Sequence, residues 1–162
     1  LEIERKYRVS LERAGDMAPV TADDEISGRS QAFPGHDILV KKIMAVMKDE
    51  ETFCNPEFSL AMLARLTGSN TNYVSQAINT TFGKNFRTFV NEYRIKAAMK
   101  RMMDAANFGN YSIQGISESV GYKSASNFIS SFKRVTGMTP SLYQKLSVTD
   151  DIPDINGELA DE

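Results

Sequence analysis

The chain of 162 residues has no tryptophan, one cysteine and one histidine. The single cysteine, Cys54, excludes an internal disulfide and fits a reducing compartment. A metal site takes three or four ligands, and neither Cys54 nor His36 has a companion at ligand spacing. His36, beside Pro34-Gly35, reads as a capping or surface residue at a helix start, and Cys54 as a small residue in the loop before Pro56. No apolar run approaches the length that crosses a bilayer, and no signal-peptide pattern opens the chain. Catalytic constellations are missing as well. No nucleophile–base pair surrounds the single histidine, and Gly109 and Gly115 stand too far apart to form a phosphate-cradling loop. No metal, cofactor or small-molecule ligand is expected, and a non-enzymatic protein is.

Acidic and basic residues are nearly balanced, at 21 against 19, but they are segregated. Residues 1–36 carry 5 basic and 7 acidic residues; residues 37–146 carry 14 and 8, a net +6; residues 147–162 carry 6 acidic and no basic. Within residues 59–146 the balance is 11 basic against Glu92, Asp104 and Glu118. A basic core between acidic flanks points to a polyanionic partner in spite of the overall charge of −2.

Three regions follow. Residues 1–35 pair a charged stretch, LEIERKYRVSLER, with a Gly-, Pro- and Asp-rich linker. Residues 36–146 carry helical periodicity throughout, with none of the sustained alternation of strands. Residues 147–162 read as an acidic, proline-broken, disordered tail. The chain opens on Leu1 in place of Met, which suggests a piece of a longer protein. A first helix is expected over Asp37–Asp49, with Leu39, Ile43, Val46 and Met47 on one stripe, closed off by the extended connection to Pro56.

The central region repeats itself. FSLAMLARLTG (Phe58–Gly68) aligns with YSIQGISESVG (Tyr111–Gly121) at an offset of 53, matching Ser59 with Ser112 and Gly68 with Gly121. One extra residue then raises the offset to 54, so that Val74, Ile78 and Gly83 match Phe128, Phe132 and Gly137. Each copy has the grammar of a helix-turn-helix: a Ser N-cap, a short helix, a Gly stop, a polar turn and a longer helix stopped by a second Gly. Between the copies, Asn85–Ala106 is expected to form one long helix. Its apolar surface would include Phe86, Phe89, Val90, Tyr93, Ala97 and Met103. Such a strut would span roughly 30 Å, close to the ~34 Å of one turn of B-DNA.

On a helical wheel, the second helix of copy two turns Phe128, Phe132 and Val135 inward and Ser126, Asn127 and Ser130 outward. In copy one Val74, Ile78 and Thr81 face in, and Asn72, Ser75, Gln76 and Asn79 face out. Neither outward face holds an acid. Amide and hydroxyl side chains can read base edges in the major groove, where a carboxylate would repel phosphates. Lys84, Arg87, Lys123, Lys133 and Arg134 fall near the ends of these helices or the start of the strut, as phosphate contacts would. The helix starts at Ser59 and Ser112 would add donors to phosphate oxygens. Arg94, in mid-strut, fits a structural pairing as well as a DNA contact. The rival reading is a helical protein–protein interaction module, which calls for an apolar groove where these faces are polar.

GYKSASNFISSFKRVTGMTPSLYQ (Gly121–Gln144) resembles the signature of the AraC/XylS family of bacterial transcription regulators. The likeness extends back through LARLTGSNTNYVSQAINTTFGKNFRTFVNEYRIKAA (Leu63–Ala98) and covers about residues 37–146. It implies an all-α DNA-binding domain of about seven helices, two helix-turn-helix subdomains joined by a long linker helix. Base contacts in the family map onto the outward positions named above, and phosphate contacts near Lys133 and Arg134. The sequence departs from the family pattern at Gln144, where Arg is usual after the Tyr, and by lacking Arg and Trp on the first reading face. The implied partner is double-stranded promoter or operator DNA, with RNA polymerase a further candidate. The upstream segment resembles one that follows a sensor or membrane-anchored module, so a sensor or dimerisation domain upstream and a cytoplasmic location are expected.

Overall fold

The computed structural model describes residues 33–149, and all regular structure among them is helical. The order is α1 (His36–Val46), α2 (Glu50–Phe53), α3 (Leu60–Leu66), α4 (Thr71–Phe82), α5 (Phe86–Met103), α6 (Ala105–Phe108), α7 (Ile113–Ser119), α8 (Ala125–Thr136) and α9 (Pro140–Thr149). Segment 1–32 and the acidic stretch from residue 150 lie outside the described residues. Helix α9 runs to Thr149.

The repeat in the sequence is a repeat in the backbone. In the first unit Ser59 Oγ accepts from Met62 N, α3 has 7 residues, Asn70 caps the turn exit and α4 has 12. In the second, Ser112 Oγ accepts from Gly115 N, α7 has 7 residues, Ser124 caps the exit and α8 has 12. Both short helices close with the same 6→1 backbone bond, Ser69 N to Ala64 O at 2.8 Å and Tyr122 N to Ser117 O at 3.0 Å. The extra residue of copy two sits in the turn, between Gly121 and the Ser124 cap, and leaves both helices unchanged in length.

Helix α5 carries both units. It packs on α4 and α2 on one side and on α7, α8 and α9 on the other. Its buried residues include Phe89, Val90, Ile95, Ala97, Ala98 and Met99. Around it the first unit buries Leu39, Ile43, Leu63, Val74 and Ile78, with Phe82 stacked on Phe89 at 4.9 Å. The second unit builds an aromatic ladder, Tyr122 to Phe128 (5.3 Å), Phe128 to Phe132 (5.7 Å) and Phe132 to Tyr143 (5.5 Å). Edge-to-face and tilted geometries of this kind add to what burial alone contributes.

Several expectations need correction. The first helix stops at Val46, with Val46 only half-buried, and a separate turn follows because Asp49 caps α2 through Glu51 N. The strut ends at Met103, since Asp104 leaves helical geometry (ψ 78°) and caps α6. Its 18 residues give about 27 Å of axis, and Met103 is exposed at that end. These two single-turn helices raise the number from about seven to nine among the described residues. Thr81 is exposed, and the neighbouring Phe82 packs on the core in its place. His36 does not cap α1, where Gly35 holds the N-cap position; its ring packs edge-on to Phe33 at 5.3 Å.

Candidate nucleic-acid interface

Helices α4 and α8 are amphipathic because their apolar residues recur every three or four positions, and burial of that stripe leaves the rest of the helix outside. On α8, Phe128 and Phe132 are fully buried, while Ser126, Asn127, Ser130, Lys133 and Arg134 are exposed. On α4, Val74, Ala77 and Ile78 are buried; Asn72 and Asn79 are exposed, and Ser75 and Gln76 are half-buried. Neither helix contains a carboxylate. The outer surfaces are thus hydrogen-bonding and uncharged over most of their length, with Lys133 and Arg134 in the last turn of α8.

The cations divide into three kinds. Arg87, in the first turn of α5, and Arg134 of α8 line one groove of about 360 Å³ with Thr88, Asn127 and Ser130. The start of α5 and the exposed side of α8 therefore form one polar, positive surface. Lys123 is exposed and pairs with Glu57 at 2.6 Å, and Lys133 extends from α8 into solvent. Lys84 is different: its side chain is one-fifth exposed and its ammonium is engaged by Glu92, itself nearly buried. The Ser59 and Ser112 oxygens accept from their own helices as caps, which leaves each hydroxyl proton for another acceptor.

Two further exposed residues on these faces are not among the expected amide and aliphatic hydroxyl positions. Ile129 is 40 % exposed on the α8 flank between Ser126 and Lys133, and Tyr73 is 45 % exposed beside Asn72, stacked on Phe33 at 4.4 Å. An exposed β-branched residue amid serines was visible in the sequence as an exception to the polar face. Arg94 resolves to the structural alternative: Nε donates to Phe53 O at 2.7 Å and Nη2 to Asn55 O at 2.9 Å. Its guanidinium lies 5.8 Å from the centre of the Tyr122 ring. Burial pulls its pKa below the ordinary arginine value, with Tyr122 and Cys54 acting in the opposite direction. Burial likewise pushes the Tyr122 phenol up, against a Ser131 hydrogen bond and the charges of Arg94, Arg134 and Arg87.

Two helix-turn-helix units in matching register on one strut, each presenting an acid-free polar helix and the second flanked by Arg87, Lys133 and Arg134, define a DNA-binding domain of the double helix-turn-helix class. A family model described as a helix-turn-helix domain matches residues 63–146. The chain belongs to the AraC-type helix-turn-helix family of transcription regulators. It is 32 % identical over 89 residues to the uncharacterized HTH-type transcriptional regulator YtdP of Bacillus subtilis (strain 168), a match over 55 % of this chain and 11 % of that protein. The chain thus spans about a tenth of that relative's length. Its fold is similar to a DNA-binding transcriptional dual regulator from Escherichia coli K-12 (TM-score 0.58, 22 % identity, 68 % of this chain and 93 % of that one). It is also similar to the C-terminal domain of the two-component response regulator yesN from Fusobacterium nucleatum (TM-score 0.55, 22 % identity, 64 % of this chain and 95 % of that one). No described helix is long and apolar enough to cross a membrane.

Proposed function

We propose that this domain is the sequence-specific output module of a larger regulator and lays α4 and α8 into successive major grooves on one side of a duplex. The observation that carries the reading is the pair of 12-residue helices at corresponding places in the repeat, both acid-free on the exposed side. Asn72, Ser75, Gln76 and Asn79 on α4, and Ser126, Asn127 and Ser130 on α8, read base edges. Ile129 adds an apolar contact of the kind a thymine methyl offers. Arg87, Lys123, Lys133 and Arg134 meet phosphates, aided by the helix starts at Ser59 and Ser112, and so set affinity and register. Lys84 contributes through Glu92 to the fold instead. A sensor or dimerisation domain supplies the signal, RNA polymerase is the candidate downstream partner, and the site of action is the cytoplasm.

Selection of bound duplexes from a random pool tests this directly. A motif with two blocks about one helical turn apart is expected, with affinity falling steeply as salt rises. Replacing single thymines of the motif by deoxyuridine should weaken binding at one position, and Ile129→Ala should abolish that sensitivity while Ser130→Ala relaxes a neighbouring base. A pool with no enriched motif, or binding indifferent to salt, overturns the proposal.

A further inference from the structure

The segment that leads into the first unit touches the second unit directly, and not only through the strut. The connection between α2 and α3, which leads into the first unit within a few residues, passes against the turn of the second. The backbone of Cys54 lies so close to Gly121 that a Cβ added there would sit 2.6 Å from the Cys54 carbonyl oxygen. Beside this contact, Arg94 of α5 donates to Phe53 O and Asn55 O on one side and covers the Tyr122 ring on the other. About two turns further along α5, Arg101 donates to Ser119 O at 2.6 Å and approaches Glu50 at 3.6 Å. At the outer edge Glu57 pairs with Lys123. The first-unit partners all fall within residues 50–57, and the second-unit partners within residues 119–123.

We propose that Arg94 is a positioning residue that locks the two recognition helices at one separation and angle, and thereby sets the half-site spacing the domain accepts. This rests on the reading that α4 and α8 enter successive grooves. The guanidinium is suited to the task. Its planar fork addresses two carbonyls that diverge from a single turn, while its face lies on an aromatic ring of the other unit. A lysine in the same place could satisfy one carbonyl and would have no flat face to stack. Inserting one base pair between half-sites moves one block by about 3.4 Å and turns it by roughly 34° relative to the other. A locked pair of helices cannot follow that displacement, whereas a hinged pair can.

The test has two arms. In the first, spin labels on Thr80→Cys of α4 and Ser141→Cys of α9, both exposed, report the distance between units without DNA, the buried Cys54 being spared by the label. A single narrow distance is expected for the parent protein, and at least a doubling of the width in Arg94→Ala; an unchanged width overturns the lock. In the second, affinities are measured for the duplex selected from the random pool and for versions with one base pair inserted or removed between its blocks. The parent should lose at least 30-fold on either change and Arg94→Ala less than 5-fold, with base preferences inside each block retained. Arg94→Lys, which keeps the charge, is read in both arms by the same criteria and should fall between. It also serves as the readout should Arg94→Ala unfold on circular dichroism. A full 30-fold spacing penalty in the Arg94 variants refutes the assignment. Absence of any selected motif would refute the DNA-reading role instead, and the distance arm would still decide the lock.

Discussion

Gly68 and Gly121 end equivalent helices of the repeat, and replacing each by alanine should have very different consequences. Both have positive φ, +68° and +100°, so an alanine at either would carry left-handed strain of about 1–2 kcal/mol. At Gly68 the space that a Cβ would enter is open, with no atom within 4 Å. There the lower entropy of the unfolded chain returns about 0.4–1 kcal/mol, and a net loss of about 1 kcal/mol is expected. At Gly121 the new Cβ would lie 2.6 Å from Cys54 O, a backbone atom, and 3.1 Å from Arg94 Cζ. Relief requires the connection before α3 to retreat by several tenths of an ångström, at an overpacking cost of about 1–3 kcal/mol. That shift also strains the two Arg94 hydrogen bonds to the same connection. Gly121→Ala should therefore destabilise by about 3–5 kcal/mol, at least 2 more than its twin. Urea unfolding followed by circular dichroism at 222 nm reads the difference as a shift in midpoint at constant slope. If the two variants lose the same stability within 0.5 kcal/mol, the direct contact between units is not what makes Gly121 special.

Among the cations, Lys133→Ala should leave stability unchanged and reduce the slope of log affinity against log salt by about one. Lys84→Ala should do the reverse, lowering stability by about 1–3 kcal/mol by leaving Glu92 without its cation, with the salt slope intact; a slope change for Lys84 would return it to the phosphate-contacting set. Because burial raises the Tyr122 pKa, the folded state favours the neutral phenol. Its contribution is fully present below about pH 10 and is lost as pH rises through the folded-state value. The absorbance titration at 295 nm of the parent minus Tyr122→Phe should show a phenol ionising later than free tyrosine, and ionisation at the ordinary value would contradict its burial against Asn91 and Phe128.

Much of the molecule was legible along the chain because it is encoded locally. Helix starts are written in side chains that bond amides three residues on, as at Ser59, Asn70, Ser112 and Ser124, and stops in glycines where a left-handed backbone is needed. Periodicity then separates Phe128 and Phe132 from Ser126 and Ser130 without knowledge of what the core contains. The misreadings came where local signals compete. Asp104 sits in a run that is helical by pattern, yet its carboxylate caps a new turn through Asn107 N. Thr81 and Phe82 both border the inner stripe of α4, and the larger apolar residue took the place against Phe89.

What lay beyond reach is everything that joins residues distant in sequence. Arg94 meets Phe53 across 41 positions, and Arg101 meets Ser119 across 18. Only its place in mid-strut set Arg94 apart from Arg87, which is exposed in the first turn of the same helix, and that place left a structural pairing and a DNA contact equally open. Lys84, expected among the phosphate contacts, pairs with Glu92 once α5 is packed, a contact that its own surroundings in the sequence do not announce. Local pattern established that there are two matching amphipathic helices and which side of each faces outward, since capping and periodicity act within a few residues. How those two helices are held relative to one another follows from contacts closed only when the whole chain has folded around α5.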